Sequence, residues 1–302
     1  MSVPLACWIA VDWGTSNLRA WVIAADGTVI ARLGSDKGMG GLDPSGFEPA
    51  LLELVAPYLP ASGRLPVIAC GMVGARQGWI EAPYAPVPCA PPGVGVAVKA
   101  PSVDLRLNVR ILPGVCQAAP ADVMRGEETQ IAGYLCANRD FSGVLCLPGT
   151  HSKWVLIEDR AIAGFRTFMT GEIFALLSKQ SVLRHSMGGD GWDDAAFLAA
   201  AAEAVDEPGA LAARLFSLRA AMLLNGAGPA TSRARLSGLL VGLEIAGARD
   251  YWEGRKVVLI GAPGLTAPYH AALAAEGASV TEEDGADMTL SGLRRAYEEY
   301  AK

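Results

Sequence analysis

Two segments of the chain, 8–30 and 144–162, follow the same pattern. Each contains an apolar strand, the dipeptide Gly-Thr, a short polar stretch, and a second apolar strand that ends in a turn. The two Gly-Thr dipeptides, at 14–15 and 149–150, lie 135 residues apart, which is close to the length of one domain. A repeat of this kind constrains the fold strongly, because each copy is expected to form the same supersecondary unit. We therefore predict a strand–turn–strand hairpin in each of two domains.

The Gly-Thr turn is suited to a phosphate group. Glycine lets the backbone approach an anion closely, successive N–H groups form a concave set of donors, and the threonine hydroxyl adds another donor. Asp12 stands at the end of the first strand, and since a carboxylate repels phosphate, we expect it to hold Mg²⁺ or the waters of that ion. One such turn also occurs in ordinary β-hairpins, whereas two of them, a domain apart, indicate two loops that close on one nucleotide.

The charge and hydropathy of the chain exclude several partners. Among 302 residues, 31 acidic side chains oppose 25 basic ones, which gives a net charge of −6 at pH 7. This balance argues against nucleic acid or an anionic membrane as the main partner. No apolar run approaches the roughly 18–20 residues that a membrane helix needs. The N-terminal segment lacks a basic region, and Asp12 cuts its apolar stretch short, so no signal peptide is expected.

Several common motifs do not occur. The six cysteines form no C-x-x-C pair, and three histidines are too few and too scattered for a histidine-based metal site. We therefore expect a reduced, cytoplasmic protein. The dinucleotide fingerprint G-x-G-x-x-G, the P-loop and the G-x-S-x-G nucleophile turn are not found, which disfavours dehydrogenase, P-loop and hydrolase functions.

Three stretches resemble the nucleotide-binding motifs of the actin, Hsp70 and sugar-kinase superfamily. D-W-G-T-S-N-L-R (12–19) is similar to its first phosphate motif, and P-G-T-H-S-K-W (148–154) is similar to its second. V-V-L-I-G-A-P-G-L-T-A-P-Y-H-A (257–271) resembles its adenosine motif, in which a strand ends in small residues and a helix follows. The resemblance implies an α/β, two-domain actin-like ATPase (ribonuclease H-like) fold with an interdomain cleft. It also implies ATP and Mg²⁺ as cofactors.

Within this superfamily, three blocks resemble the 2-dehydro-3-deoxygalactonokinase family. They are G-M-V-G-A-R-Q-G-W-I-E-A-P-Y (71–84), M-R-G-E-E-T-Q-I-A-G-Y-L (124–135) and F-R-T-F-M-T-G-E-I-F-A-L-L (165–177). The chain departs from the family at Gln180, where a histidine is expected. The resemblance implies an ATP-dependent carbohydrate kinase. Such an enzyme transfers the γ-phosphate to the 6-hydroxyl of 2-dehydro-3-deoxy-D-galactonate, a small keto-deoxy sugar acid, in galactonate and galactose catabolism.

The superfamily motifs imply which residues bind the nucleotide. These residues are Gly14, Thr15, Ser16, Gly149, Thr150, Lys153, Gly261, Ala262 and Gly264. Lys153 is expected to reach the β- and γ-phosphates, with a hairpin lysine that faces water as the alternative.

The catalytic base is expected at the start of a helix near 125–138. In the related glycerol- and xylulose-kinase group, a G-D-Q-x-x-A-x-x-G stretch begins a helix and supplies the catalytic aspartate, and Glu127 takes that position by likeness. The helix macrodipole stabilises acids in the first turn. A carboxylate there can accept the proton of a hydroxyl aligned on the γ-phosphoryl group. Glu128 and other carboxylates remain alternatives.

The carboxylate of a 2-keto acid requires donors, and a guanidinium fork suits it well. Arg76 is the first choice, because its glycine-rich neighbourhood allows close approach. Gln77 lies beside it, and Trp79 is expected to form an apolar wall. Lys37 and Arg166 are the alternatives to Arg76.

Apolar spacing predicts the order of the elements. Strands are expected at 6–11, 18–24, 28–33, 66–70, 107–112, 143–147, 153–158, 161–165 and 256–261. Helices are expected near 125–138, 171–184, 193–204, 208–224, 232–249 and 288–301. The proline-rich stretch 83–101 is expected to be a long irregular excursion.

These elements suggest two domains, each opening with a three-stranded β-meander as in the superfamily. The first is 1–135 with the C-terminal helix 288–302, which returns to it by family likeness. It carries the first phosphate hairpin and the sugar-acid site. The second is 136–287, with the second hairpin and the adenosine site.

Two other functions remain open from the sequence. One is an ATPase or phosphohydrolase of the same superfold without a sugar acceptor. The other is an inert sugar sensor, which would lack the chemistry of Asp12 or Glu127 or carry a helix-turn-helix, and the sequence shows neither. The configuration at C4 of the substrate and the oligomeric state, with a homodimer as one alternative, also stay open.

Overall fold

The computed structural model describes residues 5–302. The strands are β1 (Ala6–Trp13), β2 (Leu18–Ala24), β3 (Val29–Ser35), β4 (Leu65–Gly71), β5 (Tyr84–Pro86), β6 (Val98–Lys99), β7 (Leu107–Ile111), β8 (Gly114–Gln117), β9 (Asp122–Met124), β10 (Gly143–Leu147), β11 (Ser152–Glu158), β12 (Ala161–Phe168), β13 (Lys256–Gly261) and β14 (Ser279–Asp284). The α-helices are α1 (Phe47–Val55), α2 (Glu127–Ala137), α3 (Thr170–Lys179), α4 (Asp194–Asp206), α5 (Leu211–Asn225), α6 (Pro229–Gly247), α7 (Arg249–Trp252), α8 (Pro263–Ala275) and α9 (Gly285–Tyr300).

The chain divides into two compact units. Unit 1 contains the residues up to Phe141, together with Asp159–Gly164 and Gly285–Lys302. Unit 2 contains Ser142–Glu158 and Phe165–Asp284. The C-terminal helix α9 therefore groups with unit 1. Unlike the predicted division, a short piece of the second meander also groups with unit 1.

The main sheet of unit 1 has the strand order β3-β2-β1-β4-β7-β6. β1 is antiparallel to β2 and parallel to β4. Because successive side chains of a strand point to opposite faces, β1 contributes to two separate clusters. Ile9 and Val11 pack in one cluster with Phe47 of α1. Trp8 packs in the other with Leu293 of α9. Both faces are covered, which explains why β1 is almost continuously apolar.

Helices α2 and α9 of unit 1 cross at two glycines. A Cβ on Gly133 would lie 2.0 Å from the carbonyl oxygen of Met288, and a Cβ on Gly292 would lie 2.0 Å from that of Thr129. Only glycine allows the two backbones to come this close. The crossing fixes the position of α2, whose first residue is Glu127.

Unit 2 is built on a five-stranded sheet with the order β12-β11-β10-β13-β14. Trp154 of β11 and Leu259 of β13 are fully buried against α4, α6 and α8. Helices α4 and α6 also meet at glycines. A Cβ on Gly238 would lie 2.2 Å from the carbonyl oxygen of Phe197.

Both predicted three-stranded meanders are present, as β1–β3 and β10–β12. Several elements differ from the prediction. The helix predicted over 171–184 ends at Lys179. The excursion 83–101 contains two short strands, β5 and β6. Helix α1 and strand β14 were not predicted. Within the described residues, no helix has both the length and the apolar character needed to span a bilayer.

Candidate active site

The first phosphate hairpin joins β1 to β2 in unit 1. The amide of Gly14 donates a hydrogen bond to the carbonyl of Asn17 at 2.9 Å, which closes the turn. The side chains of Thr15 and Ser16 are exposed. The amide of Gly40 donates to the carbonyl of Thr15 at 2.8 Å, so the loop after β3 supports the turn. The hairpin therefore presents two hydroxyl-bearing side chains next to a tight glycine turn, as a phosphate site would need.

Asp12 lies near the carboxyl end of β1, opposite Cys70 of the parallel strand β4. Its side chain is 15% exposed, and its Oδ2 accepts a hydrogen bond from Arg19 Nη2 at 2.5 Å. Burial raises the pKa of Asp12 above its usual value, Arg19 opposes this shift, and the charge of Glu127 adds to it. The two predicted catalytic carboxylates therefore influence each other electrostatically.

Helix α2 begins close to the end of β1. Gly126, which precedes the helix, has a φ of 110°, a backbone conformation that favours glycine. A Cβ there would lie 3.3 Å from the Cα of Gly71, the last residue of β4. Gly71 in turn pairs with Trp13 in the register of β1 and β4. The structure thus brings Asp12 and Glu127 to the same end of the sheet.

The two glutamates in the first turn of α2 have different surroundings. Glu127 is partly exposed, and its Oε2 accepts a hydrogen bond from the amide of Arg125 at 3.0 Å. Glu128 is 1% exposed, and its two carboxylate oxygens accept from the amide of Gly126 at 2.9 and 2.7 Å. Glu128 is therefore closed to a substrate hydroxyl, whereas Glu127 has access to solvent.

The buried carboxyl of Glu128 predicts a pH-dependent stability. Burial and then the charge of Glu127 raise its pKa from 4.5 to about 8. Between these values the folded protein keeps a proton that the unfolded chain releases, so the free energy of unfolding falls as pH rises. Glu128→Gln has no such proton. We expect its stability relative to the wild type to increase from about pH 5 to about pH 8, by at most about 1.4 kcal/mol per pH unit.

Urea denaturation of both proteins across this pH range measures the effect. Because Asp12 also has a raised pKa, the wild type and the variant will share part of the pH dependence. The prediction therefore concerns the difference between them. A difference that does not change with pH would contradict a proton on Glu128 in the folded state.

Arg125 is a buried cation that no sequence motif indicated as functional. Its guanidinium carbon lies 4.2 Å from the centre of the Tyr84 ring, and its Nη2 donates to the carbonyl of Ala82 at 2.8 Å. A Cβ on Gly74 would lie 2.9 Å from Nη1, so a glycine there leaves room for the guanidinium. Within residues 5–302, Nε and Nη1 have no hydrogen-bond partner. Arg125 thus ties the segment 71–84 to the start of α2.

The predicted substrate residues after β4 have two kinds of environment. Arg76 and Gln77 are exposed. No hydrogen bond or ion pair engages Arg76 in the described part of the chain. Trp79 is only 6% exposed, stacks near Phe47 in the core of unit 1, and donates from Nε1 to the carbonyl of Pro101 at 3.2 Å. Its packing is that of a core residue beneath this turn.

The two alternative cations already have acidic partners. Lys37 forms an ion pair with Glu53 in unit 1. Arg166 belongs to unit 2 and pairs with Asp250 through two hydrogen bonds of 2.8 and 3.0 Å. Among the three predicted cations, and within the described residues, Arg76 therefore has no acidic partner, whereas Lys37 and Arg166 each have one.

The second phosphate hairpin joins β10 to β11 in unit 2. A Cβ on Gly171 would lie 2.3 Å from the carbonyl oxygen of Gly149, so α3 begins directly against the turn. Thr150 is exposed. Lys153 is 4% exposed, and its Nζ donates to the carbonyl of His151 at 2.9 Å. Its burial argues against the alternative in which this lysine simply faces water.

A cavity of about 370 Å³ lies within unit 2. Gly149 of the second hairpin and Gly264 of the predicted adenosine motif both line it. Leu240, Trp192 and Tyr269 contribute apolar and aromatic walls. Its size and lining are typical of a small-molecule site.

The adenosine motif has the predicted strand-then-helix form. Gly261 ends β13, and a Cβ there would lie 3.8 Å from the carbonyl oxygen of Pro148, a residue of the cavity wall. Ala262 precedes α8, and its carbonyl accepts from the amide of Leu265 at 2.8 Å. The small residues at this junction therefore lie beside the cavity.

The acids of unit 1 fit a metal ion that arrives with a phosphate. Among residues 5–302, no group of three or more histidine, cysteine, aspartate or glutamate side chains could hold a metal on its own. Mg²⁺ is usually bound by one or two carboxylates together with substrate phosphates and water. Oδ2 of Asp12 bonds to Arg19, whereas Oδ1 lies 4.0 Å from the sulfur of Cys70 and is the oxygen that could face a metal ion. A cation there would also offset the repulsion between Asp12 and Glu127.

The two meanders and their hairpins define an actin-like α/β ATPase fold. The chain resembles the solved structure of (R)-2-hydroxyglutaryl-CoA dehydratase component A from Acidaminococcus fermentans, with a TM-score of 0.52 and 12% identity over 98% of this chain and 99% of that one. It also resembles the activator of 2-hydroxyisocaproyl-CoA dehydratase from Clostridium difficile with bound ADPNP, with a TM-score of 0.52 and 11% identity over 97% and 95% of the two chains.

Sequence comparison identifies the family. A sequence profile of 2-keto-3-deoxy-galactonokinase matches residues 12–296. The chain is 42% identical to the probable 2-dehydro-3-deoxygalactonokinase of Rhizobium meliloti (strain 1021), over 96% of both chains. It is 34% identical to the 2-dehydro-3-deoxygalactonokinase of Escherichia coli (strain K12), over 96% of this chain and 97% of that one. A crystal structure from Sinorhizobium meliloti assigned to the same enzyme has a TM-score of 0.90 and 41% identity, over 97% and 96% of the chains. The chain belongs to the 2-keto-3-deoxy-galactonokinase family.

Proposed function

We propose that this protein uses ATP and Mg²⁺ to phosphorylate the 6-hydroxyl of 2-dehydro-3-deoxy-D-galactonate. Family membership over almost the whole chain supports the substrate class. The observation in the structure that carries the proposal is the position of Asp12 and Glu127. The two acids lie at the same end of the unit 1 sheet, beside a glycine turn suited to phosphate.

In this mechanism Glu127 is the general base. The 6-hydroxyl oxygen bonds to the γ-phosphorus while the bond from that phosphorus to the β–γ bridging oxygen breaks, and ADP leaves. Glu127 accepts the hydroxyl proton. Because the transition state of phosphoryl transfer is loose, Glu127 acts mainly by orienting the hydroxyl and removing its proton late. Asp12 would hold Mg²⁺ or the waters of that ion, and the ion would supply positive charge that offsets the charge of the phosphates.

The nucleotide is assigned to the cavity of unit 2. Gly149 and Thr150 supply backbone and hydroxyl donors for phosphate, and Lys153 supplies a positive charge at the base of the same hairpin. The small residues between Gly261 and Gly264 leave space for the nucleoside. Apolar and aromatic walls of the cavity suit a purine base.

Arg76 is the proposed partner of the substrate carboxylate. Its guanidinium is exposed and is not engaged by an acid in residues 5–302, and its turn follows β4 directly. Arg76→Lys keeps the charge but loses the two-pronged hydrogen bonding of arginine. We expect it to raise the KM for the sugar acid about 10-fold, which corresponds to about 1.4 kcal/mol, and to leave the KM for ATP unchanged.

Arg166→Lys is the matched control for Arg76→Lys. Arg166 is paired with Asp250 in unit 2, so its replacement should leave the KM for the sugar acid unchanged. If Arg76→Lys has wild-type kinetics, Arg76 is a solvated surface residue and another cation binds the carboxylate.

A panel of acceptors tests the reaction itself. ADP release would be followed with 2-dehydro-3-deoxy-D-galactonate, with its C4 epimer from the gluconate series, and without acceptor. We expect ADP release to depend on the acceptor and phosphorus NMR to show a new phosphomonoester at C6. Equal ADP release with and without the sugar acid would instead indicate an ATPase.

A further inference from the structure

Glu244 is a carboxylate in the core of unit 2 that the proposed reaction does not use. It belongs to α6 and is 1% exposed. An isolated carboxylate in such a place would be costly, because it loses its hydration. Here each oxygen has a donor. Oε1 accepts a hydrogen bond from Trp154 Nε1 at 2.8 Å, and Oε2 accepts from the Tyr269 hydroxyl at 2.7 Å.

Two further hydroxyl groups extend this cluster. Ser152 Oγ lies 3.0 Å from the hydroxyl oxygen of Tyr269. Burial raises the pKa of Glu244, and the side chains of Thr170, Tyr269, Trp154 and Ser152 oppose that rise. One buried carboxylate therefore accepts two hydrogen bonds, and two more hydroxyl groups lie near enough to stabilise its charge.

The four residues around Glu244 come from the elements that form the proposed nucleotide cavity. Ser152 and Trp154 are on β11, which continues directly from the second phosphate hairpin. Thr170 is the first residue of α3, and Tyr269 is on α8. Thr170 and Tyr269 are themselves cavity-lining residues. Through Trp154 and Tyr269, Glu244 thus links the hairpin strand to α8.

We propose that Glu244 is a positioning residue for the nucleoside triphosphate. It preorganises the cavity wall by holding Tyr269 at a fixed orientation between the carboxylate and the cavity. This inference rests on the proposed function, because it takes the unit 2 cavity as the nucleotide site. An apolar side chain could fill the same volume without the desolvation cost. It could not orient the hydroxyl group of Tyr269, and preorganised walls reduce the ordering cost of binding.

The test compares Glu244→Gln with Glu244→Leu. Glutamine can accept from Trp154 and exchange hydrogen bonds with Tyr269, whereas leucine removes both bonds at similar volume. Calorimetry would measure binding of the Mg²⁺ complex of adenylyl imidodiphosphate, without sugar acid. We expect Glu244→Leu to weaken binding about 10-fold and Glu244→Gln to stay within about 3-fold of the wild type. In steady-state kinetics, the KM for ATP should rise while the KM for the sugar acid is unchanged.

Two further variants serve as a control and as an alternative to Glu244→Leu. Glu253→Gln, an exposed glutamate of the same unit, is the matched control and should bind like the wild type. If Glu244→Leu does not fold, Tyr269→Phe removes the hydroxyl with its bonds to Glu244 and Ser152 and keeps the ring, and it should weaken binding about 3-fold. Unchanged nucleotide affinity in folded Glu244→Leu or in Tyr269→Phe would overturn the inference, as would a parallel rise in both KM values. A wild-type protein that binds no adenine nucleotide would overturn the proposed function as well.

Discussion

Glu127→Gln is expected to lower kcat at least about 100-fold and to change the KM for ATP little. The amide has nearly the same size as the carboxylate, and its oxygen can still accept the hydrogen bond from the backbone amide of Arg125. It cannot take the proton of the substrate hydroxyl. The substitution changes none of the residues that line the proposed nucleotide cavity, because they all belong to unit 2. Steady-state kinetics with each substrate varied in turn measure both parameters.

Two other variants serve as comparisons for Glu127→Gln. Glu298→Gln makes the same chemical change at an exposed position on α9 of the same unit and should have wild-type kinetics. Glu128→Gln should reduce kcat less than Glu127→Gln does, because Glu128 is buried away from substrate. Near-normal turnover of Glu127→Gln would remove Glu127 from the mechanism. A larger loss in Glu128→Gln would show that the adjacent acid matters more.

The β-meanders could be predicted because their signal is local. Their strands are largely apolar, and glycine stands in three of the four turns that separate them, at Gly14, Gly27 and Gly149. Strand β14 lacks this signal, since it is a polar edge strand with the sequence SVTEED. Helix α1 was hidden for a different reason. Pro49 suggests a break in a helix, yet it stands in the first turn, where a backbone N–H has no partner within the helix.

A site residue could be predicted only where a short stretch of consecutive residues around it forms a recognisable motif. Asp12 and Glu127 could be predicted as site residues because each lies within a recognisable motif. The bonds that support the site join distant parts of the chain, and no local pattern encodes them. Glu244 is 90 residues from Trp154, and Arg125 is 43 residues from the carbonyl of Ala82. Similarly, Trp79 was expected as a pocket wall, while its neighbours place it in the core.

Asp12→Asn is expected to raise the Mg²⁺ concentration needed for half-maximal activity about 10- to 100-fold, the usual effect of losing a group that holds a metal through its ligands. The amide removes the negative charge that attracts the ion and leaves Arg19 without its acidic partner. Saturating Mg²⁺ should restore part of the activity, since the phosphates of ATP also bind the ion. Asp36→Asn, at an exposed position of the same unit, is the control and should keep the wild-type Mg²⁺ dependence. If Asp12→Asn also keeps it, Asp12 is a structural partner of Arg19, and the ion must be held by other groups.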